Sequence, residues 1–252
     1  MLKNKVIVVL GCNGLIGKSF VETILKNNGK VLMSDINKKK DFSFLSKYSK
    51  KNYSFYKANI TNQSNLNSLF KICIKQYSKI DAVVNCAYPK SKKWGTRIEN
   101  LDPQFLKQDL NNQLGGTIIL AKIAIKYFRK QKFGNFINIS SIQGVSTPKF
   151  DHYKGTSMTS PVEYSAIKSG IISITKYLAK YCRRENIRFN CICPGGIKNK
   201  QPSIFLRKYR EDCGSKGMLD SEDLNGTLIY LLSDYSKYTT GQNIIVDDGW
   251  SL

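Results

Sequence analysis

A chain of 252 residues is long enough for one α/β domain around a single well-buried core. Its 41% hydrophobic and 11% aromatic content is that of a globular protein, and no apolar run approaches membrane-spanning length. The formal charge of +22 leaves three readings open: phosphate contacts with nucleic acid, a lysine- and asparagine-rich bias on solvated faces, or a basic surface attracting an anionic substrate. The lysines recur along the whole chain without an aromatic-basic RNA motif, which makes nucleic acid the weakest of the three.

Short β-branched runs alternate with longer helical patterns, the rhythm of a parallel sheet covered on both faces. Residues 1–10 resemble a secretion signal only superficially: the apolar core Val6–Leu10 is short, runs straight into a glycine turn, and reads as the first strand. A helix over 18–28 follows, ended by Gly29, then a strand over 31–34 with Asp35 at its tip. The third strand spans 53–58, and the next helix, 66–77, has Thr61 or Ser64 as its cap. Then come a strand over Ala82–Asn85, a long helix over 103–129, a strand over 135–140, a helix over 164–184 and a strand over 188–192. Asn243–Val246 closes the sheet. Seven strands in this order predict a doubly wound parallel sheet in one domain spanning 1–252, with ligands at the carboxyl ends of the strands.

Two motifs carry chemistry. Gly11-Cys-Asn-Gly14-Leu-Ile-Gly17 lies between the first strand and first helix, where close backbone approach and unpaired N–H groups suit a pyrophosphate. Asp35 is placed to accept hydrogen bonds from ribose hydroxyls and to repel a 2′-phosphate, favouring NAD over NADP. Lys38, Lys39 and Lys40 just downstream would soften that preference. In Tyr164-Ser-Ala-Ile-Lys168, helical spacing stacks a phenol and an ammonium on one face, and the cation would favour the phenolate. Spacing alone is weak evidence, since Tyr53/Lys57 and Tyr88/Lys92 repeat it. Seven scattered cysteines with no CxxC pair point to reduced thiols in a cytoplasm. His152 is the only histidine, which argues against a Ser-His-Asp triad or a His-based metal site.

With these residues in place, the chain resembles the short-chain dehydrogenase/reductase family and its Rossmann-type fold from Val6 to Gly249. The resemblance rests on the glycine turn, Asn85-Cys-Ala-Tyr88 after strand four, Ile137-Asn-Ile-Ser-Ser141, Tyr164 with Lys168, Pro194-Gly195-Gly196-Ile197, and Gly241 to Gly249. It implies hydride transfer between nicotinamide and a carbonyl or alcohol carbon. Tyr164 would pass the proton, Ser141 would hold the substrate oxygen, and Lys168 would bind the nicotinamide ribose and lower the tyrosine's pKa. Gln113 would fill the polar helix-four position that holds a relay water, with Asn111 or Asn112 as alternatives if the register shifts. The NAD site implied comprises Gly11, Asn13, Gly14, Leu15, Ile16, Gly17, Asp35, Asn59, Ile60, Asn85, Ala87, Tyr164, Lys168, Pro194, Gly195 and Ile197, with no metal. Several positions depart from the family pattern. Leu15 stands at the middle glycine of the first turn, Asn59 at an aspartate near the adenine, and Asn199 at a threonine that contacts the carboxamide.

Between Ser141 and Tyr164 lie 22 residues, about ten more than the family commonly has, so an insertion over 146–162 projects above the active-site mouth. Its wording, Thr156-Ser-Met-Thr-Ser-Pro-Val-Glu-Tyr164, resembles oxidoreductases of bacterial flagellin-modification and surface-polysaccharide loci, where nonulosonic acids such as legionaminic acid are made. That narrower resemblance implies a phosphorylated or nucleotide-linked sugar as substrate. Lys198, Lys200, Arg207, Lys208 and Arg210 in a flap over 197–217 could meet its phosphate. Two alternatives remain: a 3-oxoacyl carrier-protein reductase, and a non-enzymatic dinucleotide-sensing or nucleic-acid-binding protein. The resemblance also implies a homo-oligomer, dimer or tetramer, paired through helices four and five.

Overall fold

A computed structural model describes residues 1–37 and 42–252. Lys38, Lys39 and Lys40 lie outside the described residues. Seven parallel strands, β1 (Val6–Leu10), β2 (Lys30–Asp35), β3 (Tyr53–Lys57), β4 (Ala82–Asn85), β5 (Gly134–Ile139), β6 (Ile187–Pro194) and β7 (Asn243–Val246), pair in the order β3-β2-β1-β4-β5-β6-β7. The order reverses between β1 and β4, the switch point at which a doubly wound sheet leaves a crevice for a ligand. Strand β1 is buried at every position because its residues alternate between two cores: Val6, Val8 and Leu10 in one, Ile7 and Val9 in the other.

Helices cover both faces. On one, α2 (Gln63–Tyr77) and α4 (Gly116–Gln131) bury Leu66, Phe70, Leu120 and Phe128 against the sheet. On the other, α1 (Leu15–Lys26) and α7 (Asn225–Leu232) bury Phe20, Ile24, Leu228 and Leu231. The remaining helices are α3 (Pro103–Asp109), α5 (Val162–Tyr181) and α6 (Ser203–Glu211). No helix of the described residues is long and apolar enough to cross a membrane.

The structure departs locally from the predicted elements. Helix α1 begins three residues earlier than the predicted position 18, with Gly14 at its N-cap and no side-chain cap to announce it. Asn62, rather than Thr61 or Ser64, caps α2, its side chain accepting from the Asn65 N–H at 2.9 Å. The single helix predicted over 103–129 is divided by a π-helical turn, Leu110–Gly115. The Gly115-Gly116 pair eases the distortion, and the Thr117 hydroxyl donates to the Gln113 carbonyl at 2.7 Å. Tyr53 and Lys57 fall on β3 and Tyr88 and Lys92 on a loop, so of the three Tyr-x-x-x-Lys spacings only Tyr164/Lys168 is helical.

Candidate active site

A buried polar chain fixes α4 and α5 against the centre of the sheet. The Asn85 amide on β4 donates to Thr117 (3.1 Å) and Asn138 (3.3 Å), and Asn138 on β5 donates to Thr175 on α5 (3.0 Å). Each such group would be costly to bury alone, so the chain sets the position of α5 along β5. Two further contacts bring the reactive end of α5 to the end of β5: Ser140 Oγ donates to the Lys168 carbonyl (2.8 Å), and Lys168 Nζ donates to the Ile139 carbonyl (3.1 Å). Gly144 lies so close to the Lys168 backbone that a Cβ there would stand 2.8 Å from it.

Ser141, Tyr164 and Lys168 meet at one cavity of about 310 Å³, together with Ile16, Ala87, Pro194, Gly195 and Ile197. Ser141 caps the short turn after β5, its Oγ accepting from the Gln143 N–H at 3.1 Å. Burial pushes the Tyr164 phenol up to about 12, and the Ser141 hydroxyl pulls in the opposite direction. Burial also pulls the Lys168 ammonium down to about 8. These directions correct the electrostatic expectation from sequence. The ammonium, 5.5 Å from the Tyr164 ring centroid and hydrogen-bonded to Ile139, does not offset the desolvation of the phenol. Positive charge brought into the cavity must supply the rest.

The remaining predicted residues border this cavity or lie away from it. The first N–H groups of α1 have no side-chain cap and form the end of the glycine turn, so Leu15, Ile16 and Gly17 present unpaired donors. Gly11, at φ 76°, packs against β4, where a Cβ would come within 2.5 Å of the Cys86 carbonyl. Asp35 is held beside the turn, accepting from the Asn13 and Asn37 N–H groups at 3.1 Å each. Uncapped helix donors beside a carboxylate at the switch point fit the pyrophosphate and ribose of a dinucleotide. The Asn59 side-chain oxygen is already taken by the Thr61 N–H and hydroxyl at 3.0 Å, which leaves its amide nitrogen for a ligand. Ile60 is buried against Gly116. Gln113 does not line the cavity; it is buried, and its Nε2 has no hydrogen-bond partner among the described residues. Asn111 is exposed and Asn112 half-buried, so of the three only Gln113 faces the interior.

Three features were missed from the sequence. Tyr88 and Trp94, on the loop after β4, pack edge-on against Tyr164 at 5.8 and 6.0 Å, and the Tyr88 ring lies 5.1 Å from Lys168 Nζ. Cys191 and Cys193 stand 4.0 Å apart on β6, and Cys193 contributes to the field at Tyr164. The third feature is how the insertion, expected above the active-site mouth, is joined to the segment after α6 and to the C-terminal segment. His152 of the insertion pairs with Asp212 just after α6, and its ring packs among Phe205, Tyr209 and Trp250. Although burial pushes the Asp212 carboxyl up, hydrogen bonds from His152 and Lys149 outweigh it and hold the group below the usual carboxylate range. Lys208, expected to be available to substrate, instead donates to the Asp151 and Lys154 carbonyls at 3.2 and 2.9 Å. Tyr209 on α6 accepts from the Gly196 N–H at 2.7 Å, and Asp248 gathers the N–H groups of Ser215, Lys216 and Gly217. Those bonds pull the Asp248 carboxyl down to about 2.

A Rossmann-type sheet with a serine, a tyrosine and a lysine at the mouth of its crevice defines an oxidoreductase. A family model described as Enoyl-(Acyl carrier protein) reductase matches residues 13–251. Post-translational flagellin modification protein A of Campylobacter coli is 45% identical, over 100% of both chains. 7alpha-Hydroxysteroid dehydrogenase of Bacteroides fragilis is 28% identical, over 99% of this chain and 95% of that protein. A crystal structure of a short chain dehydrogenase from Leptospira borgpetersenii with bound NAD+ superposes with a TM-score of 0.89 at 30% identity, covering 100% of this chain and 94% of that one. The chain belongs to the short-chain dehydrogenase/reductase family.

Proposed function

We propose that this protein transfers hydride between NAD and a carbonyl or alcohol carbon of a phosphorylated or nucleotide-linked sugar, in the assembly of a bacterial surface glycan. The observation that carries the chemistry is the meeting of Ser141, Tyr164 and Lys168 at one cavity, where the Ser141 hydroxyl favours the phenolate. The full-length likeness to a flagellin modification protein supports the glycan setting. The dinucleotide-fitting turn and Asp35, together with the NAD+ bound to the Leptospira relative, support the choice of cofactor.

In this reading the glycine turn from Gly11 to Gly17 and the start of α1 hold the pyrophosphate, Asp35 the adenosine ribose, and Asn59 and Ile60 the adenine edge. Asn85, Ala87, Pro194, Gly195 and Ile197 bound the nicotinamide end, and Lys168 holds its ribose. When bound, NAD supplies the hydride acceptor or donor and, in its oxidised form, a positive charge. Ser141 orients the substrate oxygen and Tyr164 moves its proton. Gln113, buried with its Nε2 unpartnered among the described residues, would anchor a relay water. The reading places the protein in the cytoplasm, where seven free thiols suit a reducing compartment. Exposed Tyr177 and Tyr181 on α5 and Ile118 on α4 support pairing of subunits through these helices.

Tyr164→Phe tests the chemistry. Turnover should fall by about 10²–10⁴-fold, the usual contribution of a positioned acid–base group, with NADH affinity nearly unchanged. Unchanged turnover removes Tyr164 from the mechanism. The substrate is tested by a panel of sugar phosphates, nucleotide sugars and acetoacetyl thioesters read by NADH absorbance. The description of the matching family model favours a second reading, an acyl-carrier-protein-linked reductase, which predicts turnover of the thioester alone.

A further inference from the structure

The cavity at Ser141 and Tyr164 has a larger neighbour. A second cavity of about 520 Å³ lies between the loop after β4 and the insertion, against the first turn of α5. Ile98, Pro148, Phe150, Pro161 and Val162 form its apolar wall. Ile98, Phe150 and Val162 are 63%, 61% and 46% exposed, and apolar side chains gathered in this way mark a surface that something covers. Tyr153 and Met158 line both cavities, so the two are contiguous.

Charge and size narrow the occupant. Arg97 and Lys154 line the second cavity, facing a single carboxylate there, Glu99. Arg97 forms no ion pair among the described residues, so its guanidinium is available to an anion, whereas Lys154 is shared with the exposed Asp151. The first cavity, about 310 Å³, is at the small end of ligand pockets, and the reacting sugar and the nicotinamide must share it. Any larger group attached to the sugar therefore lies outside, and the adjoining space combines an exposed aromatic face with two cations. An aromatic face suits a base by stacking, and a guanidinium suits phosphate oxygens by paired hydrogen bonds.

We propose that the second cavity binds the nucleoside diphosphate half of a nucleotide-linked sugar, with the base against Phe150 and the diphosphate at Arg97 and Lys154. This rests on the sugar-oxidoreductase reading above and narrows its substrate: a simple hexose phosphate would leave the second cavity unused. The insertion serves as a recognition element for the part of the substrate that does not react, and it sets specificity through binding that is remote from the transferred hydride.

The test is calorimetric titration of UDP, GDP and CDP into protein saturated with NADH, which keeps the probes out of the dinucleotide crevice. Inorganic phosphate serves as the control for charge alone. At least one diphosphate should bind well above phosphate. Arg97→Glu and Phe150→Ala, both at exposed positions, should each weaken that binding about tenfold, with NADH affinity within about twofold of the parent. Diphosphates that bind no better than phosphate, or that bind both variants as tightly as the parent, overturn the proposal. So does a dimer that dissociates in Phe150→Ala while no diphosphate binds, since a second copy then covers the cavity. If hexose phosphates are oxidised or reduced while no diphosphate binds, this inference fails and the proposed function stands; a protein that does not bind NADH defeats both.

Discussion

Replacing Lys168 with Met should stabilise the cofactor-free protein at neutral pH while removing its activity. Lys168 is 94% buried, and burial pulls its pKa from an ordinary 10.5 down to about 8. That difference corresponds to roughly 3 kcal/mol held against the folded state. Below about pH 8 the group is charged in both folded and unfolded chains, and the folded protein carries the whole cost. Between about 8 and 10.5 the unfolded chain holds a proton that the folded one has lost, so stability climbs with pH; above that range the cost is gone. The methionine side chain forfeits the bond to the Ile139 carbonyl, about 1 kcal/mol, and the contacts with the Tyr88 and Tyr164 rings, together about 1 kcal/mol more. The net gain at pH 7 is about 1 kcal/mol, a rise in Tm of about 2–4 °C for a chain of this size. Thermal unfolding by circular dichroism at a series of pH values measures it. The difference in Tm between variant and parent should shrink as pH rises from 7, change sign between about pH 8 and 9, and favour the parent by pH 10. A difference that does not vary with pH, or a variant several degrees less stable at pH 7, refutes the assignment of a strained buried charge.

Asp35→Ser removes a charge that would stand near a 2′-phosphate. At ~5 Å and an effective dielectric of about 20 that repulsion is roughly 3 kcal/mol, so the NADPH-to-NADH ratio of kcat/KM should rise up to about 100-fold; an unmoved ratio excludes Asp35 as the discriminator. Asp212→Asn weakens the His152 and Lys149 contacts that hold the insertion to the segment after α6, and should raise KM for substrate more than it lowers kcat, with NADH affinity unaffected. Equal effects on both cofactor and substrate would show a general loss of structure instead. Glu163 is 98% buried with Oε2 unpartnered, and burial raises its pKa, with Asp109 adding to the rise. Its ionised form therefore weighs against the fold at pH 7 and not at pH 4, where the carboxyl is largely protonated. Glu163→Gln should raise Tm at pH 7 and leave it nearly unchanged at pH 4.

Strands with β-branched residues buried on both faces, such as β1 and β4, were legible because nothing else accounts for so short and apolar a run before a glycine turn. The convergence of Ser141 with Tyr164 was legible as well, across an insertion of unknown course, because each residue belongs to an element whose place in the sheet order is set. Helix boundaries were less so. Gly14 begins α1 with no side chain to mark it, and the π-turn before Gly116 is accompanied by a bond from Thr117 that periodicity does not reveal. The flap expected over 197–217 contains helix α6, of whose nine residues only Phe205 and Tyr209 are buried, packed with Tyr153 and Met158 of the insertion and Trp250. Lys168 and the charge of an oxidised nicotinamide together were expected to lower the pKa of Tyr164; in the protein alone burial raises it, and Lys168 does not offset that. Sequence spacing sets which charges are near, whereas burial, which wins here, depends on Tyr88, Trp94 and the strands beneath.

The tie between His152 and Asp212 has a consequence for engineering and descent. Residues more than fifty positions apart make one joint, so neither loop is a free-standing module. Transplanting the insertion into a shorter relative would deliver a loop with nothing to clasp unless α6 and the residue after it travelled too. Diversification of what this enzyme accepts should therefore proceed by exchanges within both segments at once, and chimaeras cut between them should lose grip on the substrate while retaining their hold on the dinucleotide.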